Sequence, residues 1–164
     1  MSQLVVSDSS PLRCLWALSL LHLLPRLFDR ILIPPAVGRE LAMPLSTLPA
    51  IPLEQVDWLE VVAPKDGPVL SMLRSLLDPG EAEALALAIE VGADRLLIDE
   101  RTGRAIAAEM HVAVTGVAGI LMVARDAGMI PSAGAALRTL RDQHRFWVSD
   151  KVLSLVEASD PKQS

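Results

Sequence analysis

Apolar residues fall into short continuous runs separated by stretches of helical spacing. Leu4-Val5-Val6 reads as a short buried strand, and Asp8-Ser9-Ser10-Pro11 then offers N-cap side chains and a proline suited to a first helical turn. This predicts a helix that starts near Ser9 or Ser10, continues through the apolar residues to Leu24, and is interrupted by Pro25. Leu27-Phe28 leads into a second strand, Ile31-Leu32-Ile33, which Pro34-Pro35 stops. The helix that follows runs to Met43 and carries Glu40 in its interior. Residues 44–56, proline-rich and weakly patterned, predict a surface connection, and Trp58 to Val62 a short strand or extended edge.

Beyond the turn Lys65-Asp66-Gly67-Pro68, residues Val69, Met72, Leu73, Leu76 and Leu77 repeat at helical spacing until Asp78-Pro79-Gly80 breaks the row. An alanine-rich helix from Glu81 to Val91 follows, with Gly92 as its C-terminal cap. Arg95 to Ile98 predicts a strand, Asp99 to Arg104 a turn entering a helix, and His111 to Val114 a further strand. Helices are then expected from Val117 to Ala127, near Ala133 to His144 and from Ser149 to Glu157. Strand and helix alternate, so the expected class is α/β with right-handed crossovers and a mostly parallel sheet. There is no internal repeat.

At 164 residues and 51% hydrophobic content, the chain suits one domain with a substantial core, over residues 1–158, with 159–164 as a flexible tail. The net charge of −5 argues against a broad electrostatic face for DNA. It leaves room for nucleic acid at a site neutralised by metal. The one cysteine, Cys14, lies in an apolar run, which supports neither a disulfide nor a thiolate cluster and fits a reducing cytoplasm. The run Leu12 to Leu24 contains Arg13 and His22, follows Asp8 instead of a basic leader, and falls short of the ~20 residues a bilayer span needs. No membrane role is expected.

The chemistry lies in the acids. Asp8, Glu40, Glu81 and Asp99 stand where apolar strands end or helices begin. Acids at the ends of several buried strands are candidates to converge on one edge of a parallel sheet. Two carboxylates ~4 Å apart repel by about 4 kcal/mol at an effective dielectric near ~20, so four together call for a hard dication. Mg²⁺ or Mn²⁺ prefers oxygen ligands and activates water against a phosphoryl group. Each acid also has a plain structural explanation. Asp8 and Asp99 suit helix caps, Glu81 complements the positive end of its helix, and Glu40 suits an exposed helix position.

Ser7-Asp8-Ser9-Ser10-Pro11-Leu12, Ile33-Pro34-Pro35-Ala36-Val37 with Glu40-Leu41, Gly80-Glu81-Ala82-Glu83-Ala84, Leu96-Leu97-Ile98-Asp99-Glu100 and Val114-Thr115-Gly116 occur in the order found in PIN-domain proteins. The chain resembles that family from about Leu4 to Trp147, and within it an uncharacterised PIN-like group related to bacterial toxin ribonucleases. The resemblance implies a three-layer α/β/α sandwich and an acidic site that binds Mg²⁺ or Mn²⁺ and hydrolyses RNA. It also implies a toxin role with a cognate antitoxin as partner, and a homodimer. By the same resemblance Asp8, Glu40, Glu81 and Asp99 are the metal-holding and catalytic acids. Many PIN toxins have aspartate before the alanine-rich helix, where this chain has Glu81, with Glu83 as the alternate. Residues two apart on a helix point about 200° apart, so both cannot serve one ion.

Glu100 is an alternate to Asp99. Ser9, Ser10 and Thr115 offer hydroxyls for orienting ligands or water, and Arg101 and Arg104 offer charge for RNA phosphate. Competing motifs are weak. Gly116-Val117-Ala118-Gly119 lacks the dinucleotide fingerprint, the three histidines have no zinc spacing, and the serines lack a glycine elbow. Arg138, Arg141 and Arg145 read as a solvated helix face. Two other functions stay open: a non-catalytic PIN-like nucleic-acid-binding or regulatory module, and a metal-dependent small-molecule phosphatase with a closed pocket.

Overall fold

The computed structural model describes residues 2–162. Five parallel strands form one sheet: β1 (Leu4–Ser7), β2 (Arg30–Ile33), β3 (Leu59–Val61), β4 (Arg95–Leu97) and β5 (Val114–Thr115), in the order β3-β2-β1-β4-β5. Val6 lies against Leu32 of β2 and Leu96 of β4, and all three side chains are buried. Such continuous apolar runs are the mark of strands covered on both faces, as the parallel arrangement requires.

Nine helices accompany the sheet among the described residues: α1 (Ser9–Ala17), α2 (Leu24–Leu27), α3 (Pro35–Leu41), α4 (Pro68–Leu76), α5 (Pro79–Val91), α6 (Arg101–Glu109), α7 (Val117–Asp126), α8 (Ala133–His144) and α9 (Asp150–Ser159). The architecture is a PIN-like α/β/α sandwich. Helix α5 packs against β1, β4, α3 and α4, and residues 80 to 88 of it are all buried. Its alanines permit that close approach from every side. Gly92, in the left-handed region at φ 61°, ends it.

Several boundaries depart from the sequence reading. The first helix stops at Ala17 instead of reaching Leu24. Ser19 takes a left-handed φ of 58°, and the chain restarts as a 3-10 turn over Leu21–Leu23 before α2. Leu12, Cys14 and Leu15 before the break and Leu21, Leu23 and Leu24 after it are all buried, so apolar periodicity did not mark it. Pro25 lies in the first turn of α2, where its missing N–H costs nothing, and does not interrupt a longer helix. The last strand is Val114–Thr115, later than expected, because His111 at φ 59° closes the turn that ends α6. Ile51, in the connection assigned to the surface, is buried and donates its N–H to the Leu41 carbonyl.

The C-terminal helix includes residue 159, and Asp160 accepts hydrogen bonds from Arg125, Ser132 and the N–H groups of Ala133 and Gly134. These two residues therefore belong to the folded body; of the expected tail, 163 and 164 lie outside the described residues.

Candidate active site

Strands β1 and β4 are neighbours, yet the chain leaves β1 toward β2 and leaves β4 toward β5 on the opposite side. A sheet opens a crevice at the carboxyl ends of its strands where such a reversal occurs. Asp8 directly follows β1 and Asp99 stands two residues beyond β4. The Asp8 N–H donates to the Leu97 carbonyl at 2.9 Å, so the ladder between the two strands extends to the first acid.

Asp8 is 4% exposed and occupies the N-cap position of α1, but its carboxylate makes no capping bond. Burial pushes this carboxyl up to about 7; the Ser9 N–H opposes the rise, and the charges of Glu40, Asp78 and Asp99 add to it. Asp99 accepts the Val117 N–H on Oδ1 at 2.8 Å, capping α7 and not the helix that follows it in sequence. Its Oδ2 is buried without a hydrogen-bond partner. Burial raises the Asp99 carboxyl to about 6, against the pull of the Val117 N–H and Arg104. Glycine at 116 makes room here, since a Cβ would lie 2.7 Å from Asp99 Oδ1 and 2.8 Å from Arg104 Nη1.

Glu81 is the third residue of α5 and closes a capping box with Asp78. Its N–H donates to Asp78 Oδ1 at 2.9 Å, and its Oε2 accepts the Asp78 N–H at 3.3 Å. Burial, with the charges of Asp78 and Asp8, raises the Glu81 carboxyl to about 8. Glu40 reaches the same region from α3, where its Oε2 accepts the Ser9 hydroxyl at 2.6 Å. Its carboxyl group lies against Gly80, whose missing side chain would otherwise meet Glu40 Cδ at 2.9 Å.

A cleft of about 360 Å³ opens between these elements, lined by Asp8, Ser9, Ser10, Leu76, Leu77, Asp78, Glu81, Glu100 and Thr102. Asp8 and Glu81 line it directly. Glu40 and Asp99 do not line it; Glu40 is bonded to the lining residue Ser9, and Asp99 precedes the lining residue Glu100 in the chain. Glu83 does not join them, because it accepts the Ala36 N–H at 2.9 Å and pairs with Arg74 at 3.4 Å. Glu100 is exposed and caps α6 through the Thr102 N–H. The Thr115 hydroxyl accepts from Arg95, and the Arg104 guanidinium donates to the Ile98 carbonyl at 3.0 Å. Arg101 is exposed at the start of α6.

Asp78 is the acid that sequence reasoning passed over as part of a helix breaker. Its signal was present in Asp78-Pro79-Gly80-Glu81, an acid three residues ahead of a glutamate at a helix start. Among the described residues, no three His, Cys, Asp or Glu side chains are arranged as placed to hold a metal ion. The donor set nonetheless suits a hard cation. Glu40 Oε1, Glu81 Oε1 and Asp99 Oδ2 accept no hydrogen bond among the described residues, and three carboxyls are raised by burial, with neighbouring acids adding to the rise at Asp8 and Glu81.

An all-parallel sheet with buried acids at its switch point defines an α/β/α protein with an acidic crevice. The chain belongs to the PIN-domain family, whose model matches residues 4–159. PIN domains are generally nucleases and typically use divalent metal ions. No curated protein matches the chain. No helix among the described residues is long and apolar enough to cross a membrane.

Proposed function

We propose that this protein is a ribonuclease dependent on Mg²⁺ or Mn²⁺ that hydrolyses RNA phosphodiesters in the cleft between β1, β4 and α5. The observation that carries the reading is the placement of Asp8 and Asp99 on adjacent strand ends, with Asp99 Oδ2 buried and unpartnered. Asp8, Glu40, Glu81 and Asp99 would hold the ion. When bound, the metal supplies Lewis-acid stabilisation of phosphoryl charge and a water of lowered pKa. The protein's own groups prepare the place. Ser9 fixes Glu40, the Asp78 backbone fixes Glu81, and the Val117 N–H fixes Asp99. Ser10 and Thr102 line the cleft, where their hydroxyls would meet a substrate backbone, and exposed Arg101 beside Thr102 would supply charge for phosphate.

The family supports a nucleic-acid substrate, and the open cleft favours a polymer over a small molecule held in a closed pocket. We place the enzyme in a cytoplasmic toxin–antitoxin setting, as a homodimer restrained by a cognate antitoxin. A second reading, a non-catalytic nucleic-acid-binding module, draws on the absence of a ready three-acid arrangement among the described residues. Mn²⁺-dependent cleavage of single-stranded RNA by wild type, Asp8→Asn and Asp99→Asn separates the two, with RNA binding measured alongside. Cleavage in wild type that both substitutions abolish supports the nuclease. Binding without cleavage supports the module, and cleavage unchanged in both variants sinks the site.

A further inference from the structure

Arg13 is a cation with 5% of its surface exposed, a costly burial that calls for a partner. It stands one turn after Ser9 on α1, so the two side chains share a helix face. Both point at one residue. Ser9 donates to the Glu40 carboxylate, and Arg13 Nη2 donates to the Glu40 carbonyl and, at 2.8 Å, to the Met43 carbonyl. Arg13 thus closes the last turn of α3, a helix of only two turns whose final carbonyls lack partners within the helix. Burial lowers the Arg13 pKa, and the Glu40 charge opposes that.

We propose that Arg13 is a positioning residue for Glu40. Ser9 holds the side chain while Arg13 holds the main chain, so that one face of α1 fixes the acid from α3 against Gly80. The Ile51 N–H secures the Leu41 carbonyl, and Arg13 ties the Glu40 peptide itself to α1. This rests on the reading of the acids as a metal site, while the hydrogen bonds of the clamp stand apart from it.

The test titrates the full-length protein with Mn²⁺ by calorimetry, for wild type, Arg13→Met, Arg13→Lys, Glu40→Gln and the Glu40→Gln/Arg13→Met double variant. Melting in chelator and a crystal structure of Arg13→Met accompany it. Arg13→Met is expected to weaken Mn²⁺ binding by about 10-fold or more, as loss of outer partners does at metal sites. Lysine, which keeps the charge and a donor, recovers most of the loss. In the Glu40→Gln background the same change has no further effect, since nothing remains to be positioned. An equal loss in both backgrounds, or none in either, overturns the proposal. If Arg13→Met does not fold, Arg13→Gln, too short to reach both the Glu40 and Met43 carbonyls, carries the same comparison. If wild type takes up no Mn²⁺, the metal-site reading fails separately. The crystal structure of Arg13→Met, or that of Arg13→Gln in its place, then decides: Glu40 released from Ser9 upholds the clamp, and Glu40 unmoved overturns it.

Discussion

Glu83 accepts the backbone N–H of Ala36 at 2.9 Å, which commits the acid two places beyond Glu81 to the first turn of α3. The two glutamates should therefore separate in mutagenesis. Glu83→Ala leaves a buried N–H without its acceptor and lowers stability by about 1–3 kcal/mol in urea unfolding. Glu81→Gln keeps the capping box but removes an ionisable carboxyl from the cleft. Its Mn²⁺-dependent cleavage should fall by about 100-fold or more, in line with the several kcal/mol a metal supplies, without loss of metal-free stability. The opposite pattern would exchange the roles assigned to the two residues.

The pH dependence of stability follows from the raised carboxyls. Asp99, Asp8 and Glu81 titrate near 6, 7 and 8 in the folded protein, above the ~4 of an unfolded chain. The folded state therefore holds protons more tightly, and the associated stability is fully present below pH ~4 and lost as pH rises through 6 to 8. Asp8→Asn should raise the melting temperature of metal-free protein at pH 8 and change it little at pH 4. Mn²⁺ should stabilise wild type more at pH 8 than at pH 5. Thermal melts with chelator or Mn²⁺ measure both effects, and equal Mn²⁺ shifts at the two pH values would contradict the account.

Gly116→Ala tests the close approach behind Asp99. Gly116 has a φ of −91°, which any residue adopts, so the cost is steric. The added methyl would press on Asp99 Oδ1 and Arg104 Nη1. We expect a destabilisation of about 1–3 kcal/mol from overpacking, and weaker Mn²⁺ binding in the fraction that folds. Unaltered Mn²⁺ affinity by calorimetry would mean that Asp99 tolerates displacement.

Asp160 offers a control remote from the cleft. Its carboxylate is held down near 2 by the Ser132 hydroxyl, Arg125 and two backbone N–H groups, which overcome the upward effect of burial. Asp160→Ala should cost about 2–3 kcal/mol in urea unfolding, less than complete loss of a buried pair because Asp126 still faces Arg125. RNA cleavage by the folded variant should match wild type. A specific loss of cleavage would tie the C-terminal helix to the site.

The strand cores were legible because buried parallel strands leave continuous apolar runs, as at Val5-Val6 and Leu96-Leu97-Ile98. The break after Ala17 was not, because residues on both sides of it are buried and periodicity carries no information there. Among the acids, Asp8 and Asp99 could be read from their positions after strands. Asp78 was hidden by its proline and glycine neighbours, and Arg13 by an apolar run that gave no hint of what it would meet.

The sequence by itself determined the alternation of strand and helix, the parallel class, and the placing of acids after strands and at helix starts, since each follows from local pattern. Only the tertiary structure decided which acids meet. Strand order brings Asp8 beside Asp99 across 90 residues of chain, and helix packing seats Glu40 on Ser9 and turns Glu83 to Ala36. These are contacts between distant segments, fixed by how buried surfaces pack and not by any residue's neighbours in sequence.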